Sequence, residues 1–186
     1  MSLHGAGAVI TTLDQFNFST FGGDAAWLES GGTTYLVVGG ASVDVEIFTF
    51  DGSTLTTTGI TLSLVGATRA VAWLQSGGND YLAVGAGDSL SGLLNIYIFD
   101  GLSLTLVDSI IFGAIQGEVH DVEWLTAANG SIFLAAAILV NGTDEISVYS
   151  FDGFSLTFLD GADYTQGGYG VGWLQAASPP KVLKLN

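Results

Sequence analysis

The sequence predicts an all-β chain built from repeated four-stranded antiparallel units. Three observations carry that expectation. The four tryptophans fall at 27, 73, 124 and 173, spaced by 46, 51 and 49 residues, and each is followed by Leu. Eight or nine residues later, three copies carry an aromatic–Leu pair: Tyr35-Leu36, Tyr81-Leu82 and Phe133-Leu134. A Phe-Asp-Gly triplet then stands at 50–52, 99–101 and 151–153, each followed closely by Ser and Leu. Landmarks kept in one order at a period near 45–50 residues are the signature of a repeat architecture.

Each unit holds four strand-like runs. In the second copy they are Val71–Leu74, Tyr81–Val84, Leu93–Phe99 and Leu102–Val107. Alternation is plain in Leu94-Asn95-Ile96-Tyr97-Ile98, and β-branched and aromatic residues dominate the runs. Gly77-Gly78-Asn79-Asp80 separates the first two runs, and Asp100-Gly101 reads as a two-residue type I′ hairpin turn between the last two. No stretch has the periodicity of an amphipathic helix, and the only prolines are Pro179 and Pro180.

The run Val71-Ala72-Trp73, Gly78, Tyr81-Leu82-Ala83-Val84-Gly85 and Ile96-Tyr97-Ile98-Phe99-Asp100 resembles the WD-repeat pattern of β-propeller blades, with Phe-Asp where that family has Trp-Asp. The family's Gly-His pair is absent; His120 alone, in Gly117-Glu118-Val119-His120-Asp121, stands near its place. The resemblance covers nearly the whole chain and implies a β-propeller, in which four-stranded blades bury their faces by stacking around an axis. Counting back from Trp27 places an outermost strand at Ala8–Leu13, within residues 1–20. Blades follow at about 25–66, 70–113 and 121–162, and inner strands of the split blade occupy 170–186. The expected inventory is therefore about 3.5 blades in one propeller segment.

Composition excludes several functions. Three Lys and Arg against 18 Asp and Glu give a net charge of −15, so nucleic acid and anionic lipid are not expected partners. Cys is absent, which excludes disulfides, thiolate metal sites and a Cys nucleophile. The longest apolar run, Ile132–Val140, is well short of the roughly 20 residues of a membrane-spanning helix. An outer-membrane barrel would share the low charge and alternation but not the repeated landmarks. The N-terminus MSLHGAGAVITT lacks a basic segment and a long apolar stretch, so no signal peptide is read there. Localisation stays open between secreted or surface and cytoplasmic.

The tryptophans and Phe-Asp-Gly triplets recur in every copy, which assigns them to packing and turns. A ligand site belongs instead to residues that break the repeat, expected in loops on one propeller face. The candidates are Asp24, Arg69, Glu118, His120, Asp121, Tyr164 and Tyr169. Glu118, His120 and Asp121 combine carboxylates with an imidazole, able to act as acid and base or to bind a cation; the competing reading is a hydrogen-bonded blade terminus. Arg69, the only arginine, suits an anion or a structural carboxylate. Tyr164 and Tyr169 flank Gly167-Gly168 as a sugar-stacking platform. No catalytic metal is expected, since His4 is the only other histidine; calcium is possible, with Asp88 and Asn141–Glu145 as oxygen donors.

The expected function is a non-catalytic binding or scaffold module acting through one loop face on a protein or a glycan. The alternatives are a hydrolase or lyase with a site in the central channel, and a lectin-like glycan-binding propeller. The outer strand at one end and the inner pair at the other are complementary parts of one blade. They meet either within a chain, as a four-bladed ring, or between two chains in a homodimer, which is the expected assembly.

Overall fold

The computed structural model describes residue 14 and residues 22–41, 45–88, 91–113, 116–140, 145–163 and 169–173. These residues form a β-propeller segment with three blades, each a four-stranded antiparallel meander. Blade 1 comprises β1 (Gly22–Ser30), β2 (Thr33–Gly40), β3 (Val45–Phe50) and β4 (Leu55–Leu62). Blade 2 comprises β5 (Ala67–Ser76), β6 (Asn79–Gly87), β7 (Gly92–Phe99) and β8 (Leu104–Phe112). Blade 3 comprises β9 (Gln116–Thr126), β10 (Ile132–Val140), β11 (Ile146–Phe151) and β12 (Leu156–Ala162). Sequential strands are neighbours throughout, so every connection within a blade is a hairpin. The expected outer strand at Ala8–Leu13 and the residues from 174 onward lie outside the described residues. Tyr169–Trp173 carries no strand assignment but runs beside β9.

Turn chemistry corrects one expectation. Ser30–Thr33 and Ser76–Asn79 close around Gly31-Gly32 and Gly77-Gly78, with φ of 58°, 79°, 60° and 80°. Positive φ at both central residues is the type I′ demand, and it falls here rather than at Asp100-Gly101. In the Phe-Asp-Gly turns the Asp is the last paired residue: the Asp100 N–H donates to the Ser103 carbonyl, leaving Gly101 and Leu102 as the central pair. Gly101, at φ 87°, takes the first central position, the type II′ arrangement. Asp100 Oδ1 accepts from the Leu102 and Ser103 N–H groups at 2.8 and 2.7 Å, and Asp51 and Asp152 do the same in their blades. These backbone hydrogen bonds hold the Asp100 and Asp152 carboxyls below the usual carboxylate range.

Blades stack because strand alternation gives each sheet two apolar faces. In blade 2, Val71, Leu82, Val84, Tyr97 and Phe99 face blade 1 and pack with Leu28, Val37, Val45 and Ile47. Ala70, Leu74, Tyr81, Ala83, Leu94 and Ile96 face blade 3 and pack with Val119, Val122, Leu134, Ala136, Tyr149 and Phe151. The repeated aromatics form the seams. Trp27, Trp73 and Trp124 each lie 5.4–5.5 Å from the Phe-Asp-Gly phenylalanine of their own blade. Tyr35 and Tyr81 meet the phenylalanine of the next blade edge-on, at 5.0 and 5.1 Å. Such pairs add about 0.5–1.5 kcal/mol each beyond their burial. Two of these indole N–H groups also cross a seam: Trp73 donates to the Ala26 carbonyl and Trp124 to the Ala72 carbonyl, both at 3.2 Å. The repeated residues thus pack and bond adjacent blades, the role the repeat assigns them.

Candidate functional site

The inner strands begin earlier than the sequence suggests. They start at Gly22, Ala67 and Gln116, so Asp24, Arg69, Glu118, His120 and Asp121 lie on strands β1, β5 and β9, not in loops. The reason is a β-bulge at one equivalent position in each inner strand. Gly22 and Asp24 pair with Gly40 and Gly39, leaving Gly23 as the extra residue. Arg69 is the extra residue in β5 and His120 in β9. Each stands four residues before its tryptophan, and Tyr169 holds the same place before Trp173. A bulge turns its side chain away from the strict in-and-out alternation and bends the strand. One position in each of the three blades is therefore displaced at the same end of the fold, occupied in turn by Gly, Arg and His, and Tyr169 stands at the corresponding place in sequence.

Each bulge contacts the following blade. A Cβ at Gly23 would stand 2.3 Å from the Thr68 carbonyl oxygen, so only Gly fits there. Arg69 Nη2 donates to Glu118 Oε1 at 2.7 Å, and His120 Nε2 lies 3.0 Å from Glu118 Oε2. The Arg69 and Glu118 side chains are 25% and 16% exposed. Burial pushes the His120 imidazole below its ordinary value, the Arg69 charge adds to this, and Glu118 opposes both. Tyr169 packs edge-on against His120 at 5.1 Å between ring centroids and remains 65% exposed. Arg69 has the structural carboxylate partner foreseen as one of its two readings. The same pair offers a hydroxyl-bearing ligand fixed donors and acceptors beside an exposed ring.

Asp24 and Asp121, three residues before their tryptophans, bridge blades. Asp24 Oδ2 accepts from the Val71 N–H at 3.0 Å, and Asp121 Oδ2 from the Val171 N–H at 2.8 Å. Both line a cleft of about 380 Å³ between β1, β5 and β9, together with Glu123 and the stretches running to Trp27, Trp73 and Trp124. Glu123 is exposed as a residue, and its carboxyl is pushed up first by partial desolvation in the cleft and then by the charges of Asp121 and Asp24. Sequence reasoning missed Glu123. Its signal is that the other three tryptophans follow Ala, Ala and Gly, so Glu-Trp124 breaks the repeat at that position.

Tyr164 lies outside the described residues, as do residues 141–144. Asp88 closes its own turn, accepting from the Ser91 N–H at 3.0 Å, and Glu145 is buried. Among the described residues no group of three or more His, Asp or Glu side chains is placed to hold a metal ion.

Neither a family model nor a curated protein matches the sequence. Solved structures do. A GH43 β-xylosidase/α-arabinofuranosidase from a compost microbial metagenome, crystallised with xylotriose in a calcium-free form, matches at 11% identity and a TM-score of 0.52, over 76% of this chain and 58% of that one. A fucose lectin from Kordia zhangzhouensis, in complex with methyl-fucoside, matches at 15% identity and a TM-score of 0.47, over 75% of this chain and all of that one. The chain spans 58% of the length of the xylosidase. At 11% identity the likeness to the xylosidase is one of fold, and the fold is the β-propeller.

Proposed function

We propose that this propeller binds a neutral glycan at the end where the bulges lie. The observation that carries the reading is the position four residues before each tryptophan, which varies where the framework is constant: Gly23, Arg69 and His120, each displaced by a bulge, and Tyr169, which packs on His120. The exposed face of Tyr169 offers an apolar platform for a sugar ring. The Arg69–Glu118 pair supplies donors and acceptors to hydroxyls, and the carboxylates of the adjoining cleft supply further acceptors. The net charge of −15 disfavours acidic glycans, and the structural neighbour with xylotriose supports a neutral oligosaccharide as ligand class. The test is titration of the protein with xylotriose and a panel of neutral and sulfated oligosaccharides, followed by calorimetry or ligand-observed NMR. Saturable binding of a neutral member, weakened about tenfold by Tyr169→Ala, is expected. Absence of binding across the neutral panel, or binding indifferent to Tyr169→Ala, overturns the reading.

A second reading is favoured by Glu123. Glu123 is an exposed residue lining the cleft beside Asp121, and its carboxyl, raised by partial desolvation and by the charges of Asp121 and Asp24, is placed to donate a proton, as a glycosidase acid does. Release of xylose from xylotriose, whose sugar leaving group needs that proton, abolished by Glu123→Gln, would move the function from binding to hydrolysis.

A further inference from the structure

Blade 1 has an open face. A groove of about 850 Å³ there is lined by Trp27, Thr34, Thr49, Phe50 and Thr56, and Trp27 is 55% exposed. The matching seams of the other blades are bonded by one rule. Trp73 donates to Ala26, Trp124 to Ala72 and Trp173 to Glu123, in each case the carbonyl of the residue just before the preceding tryptophan. Applied once more, the rule sends the Trp27 indole N–H to the carbonyl of Gly172. The outer edge carries a second rule. Asp108 Oδ2, on the outer strand of blade 2, accepts from the Leu156 N–H of blade 3 at 2.7 Å. Asp14 Oδ2 accepts from the Leu55 N–H of blade 1 at 2.8 Å. Asp14 therefore stands to blade 1 as the outer strand of a preceding blade does. The segment Val171–Trp173 is bonded to blade 3 as each inner strand is bonded to the blade before it, so its other flank is the one that would meet blade 1.

We propose that the open face of blade 1 is covered by the Val171–Trp173 segment of a second copy of this chain, with the Trp27 indole donating to that copy's Gly172 carbonyl. Two copies then close one ring about a two-fold axis, each supplying four inner strands. The seam continues the contacts already made between blades 1, 2 and 3, and it buries the Trp27 and Phe50 rings, which stand among Thr side chains with Glu29 and Asp51 in the same groove. The occupant is a second copy and not the same chain because within one chain Trp27 stays more than half exposed and Gly172 is exposed, whereas pairing would cover both.

Light scattering should report about twice the 19.2 kDa chain mass, and Trp27→Arg should return a folded species at 19.2 kDa. Trp27→Phe, which keeps the ring but loses the N–H, removes one hydrogen bond at each of the two seams and should raise the dimer dissociation constant roughly thirtyfold. The contacts Asp24–Val71 and Asp121–Val171 place Gly170 beside Ala25 at the new seam. The chain has no cysteine, and a Cβ at Gly170 meets nothing closer than 3.5 Å, so Ala25→Cys and Gly170→Cys are clean probes. The two single variants, mixed and oxidised, should join as one species of twice the chain mass. A parent protein of 19.2 kDa in solution overturns the proposal, as does a double variant whose disulfide forms within one chain.

Discussion

Replacing Arg69 with Met keeps the space-filling stem and removes the guanidinium that holds Glu118. Removing one partner of a fully buried ion pair costs roughly 3–5 kcal/mol. Here the side chains are 25% and 16% exposed and His120 remains beside Glu118, so the fitting scale is the charge-assisted hydrogen bond, about 1.5–3 kcal/mol. A loss of about 2 kcal/mol lowers the midpoint of a chain this size by roughly 4–8 °C. The pH dependence gives a sharper test. His120 lies below its ordinary value near 6.5, because burial and then Arg69 disfavour the imidazolium. The native state thus binds fewer protons at this site than the unfolded state. The site's stability is fully present above 6.5 and declines as pH falls through that value toward the folded one. Arg69→Met removes the second cause, so the variant loses less stability on acidification and its deficit narrows. Melting curves followed by tryptophan fluorescence at pH 7.5 and 5.5 measure both effects. A variant that melts with the parent at pH 7.5, or a deficit that widens at pH 5.5, refutes the reasoning.

Trp73→Phe retains the ring facing Phe99 and deletes the hydrogen bond to the Ala26 carbonyl; denaturant titration should show a loss of about 1 kcal/mol, and an unchanged midpoint would mean the seam is held by packing alone. Gly23→Ala drives a methyl to 2.3 Å from the Thr68 carbonyl, a backbone atom that cannot swing aside, so about 1–3 kcal/mol should be lost. Gly113→Ala, where nothing lies within 4 Å, should stay within about 0.5 kcal/mol of the parent, and equal effects at the two sites would show that the contact at Gly23 is not limiting.

The blade count, the tryptophan seams and the strand order are legible in the sequence because they repeat, and repetition separates framework from chance. Two features resist reading for definite physical reasons. A bulge shifts the in-and-out alternation by one residue, so Thr68-Arg69-Ala70 and Val119-His120-Asp121 lose their period and read as loop. The Phe-Asp-Gly turn misleads because Asp-Gly is a strong type I′ signal. Here the Asp carboxylate caps the turn from the last paired position, moving the centre one residue on. Glu123 is hidden differently: its proximity to Asp24 is a property of the axis, and one strand alone does not display it.

The division between repeated and varied positions also links the site to the assembly. Along the chain, each bulge contacts the next: Gly23 against Thr68 and Arg69, Arg69 on Glu118, His120 on Tyr169. In the proposed two-chain ring the neighbour after Tyr169 would be Gly23 of the second copy, the one bulge position without a side chain. The constraint that excludes a side chain there lies on its other flank, where the Thr68 carbonyl already fills the space. The consequence falls on Tyr169, whose exposed ring would then face a gap bounded by backbone, not a competing side chain. In the proposed ring, the repeated residues would close the seams and the varied ones would be left to recognise the ligand.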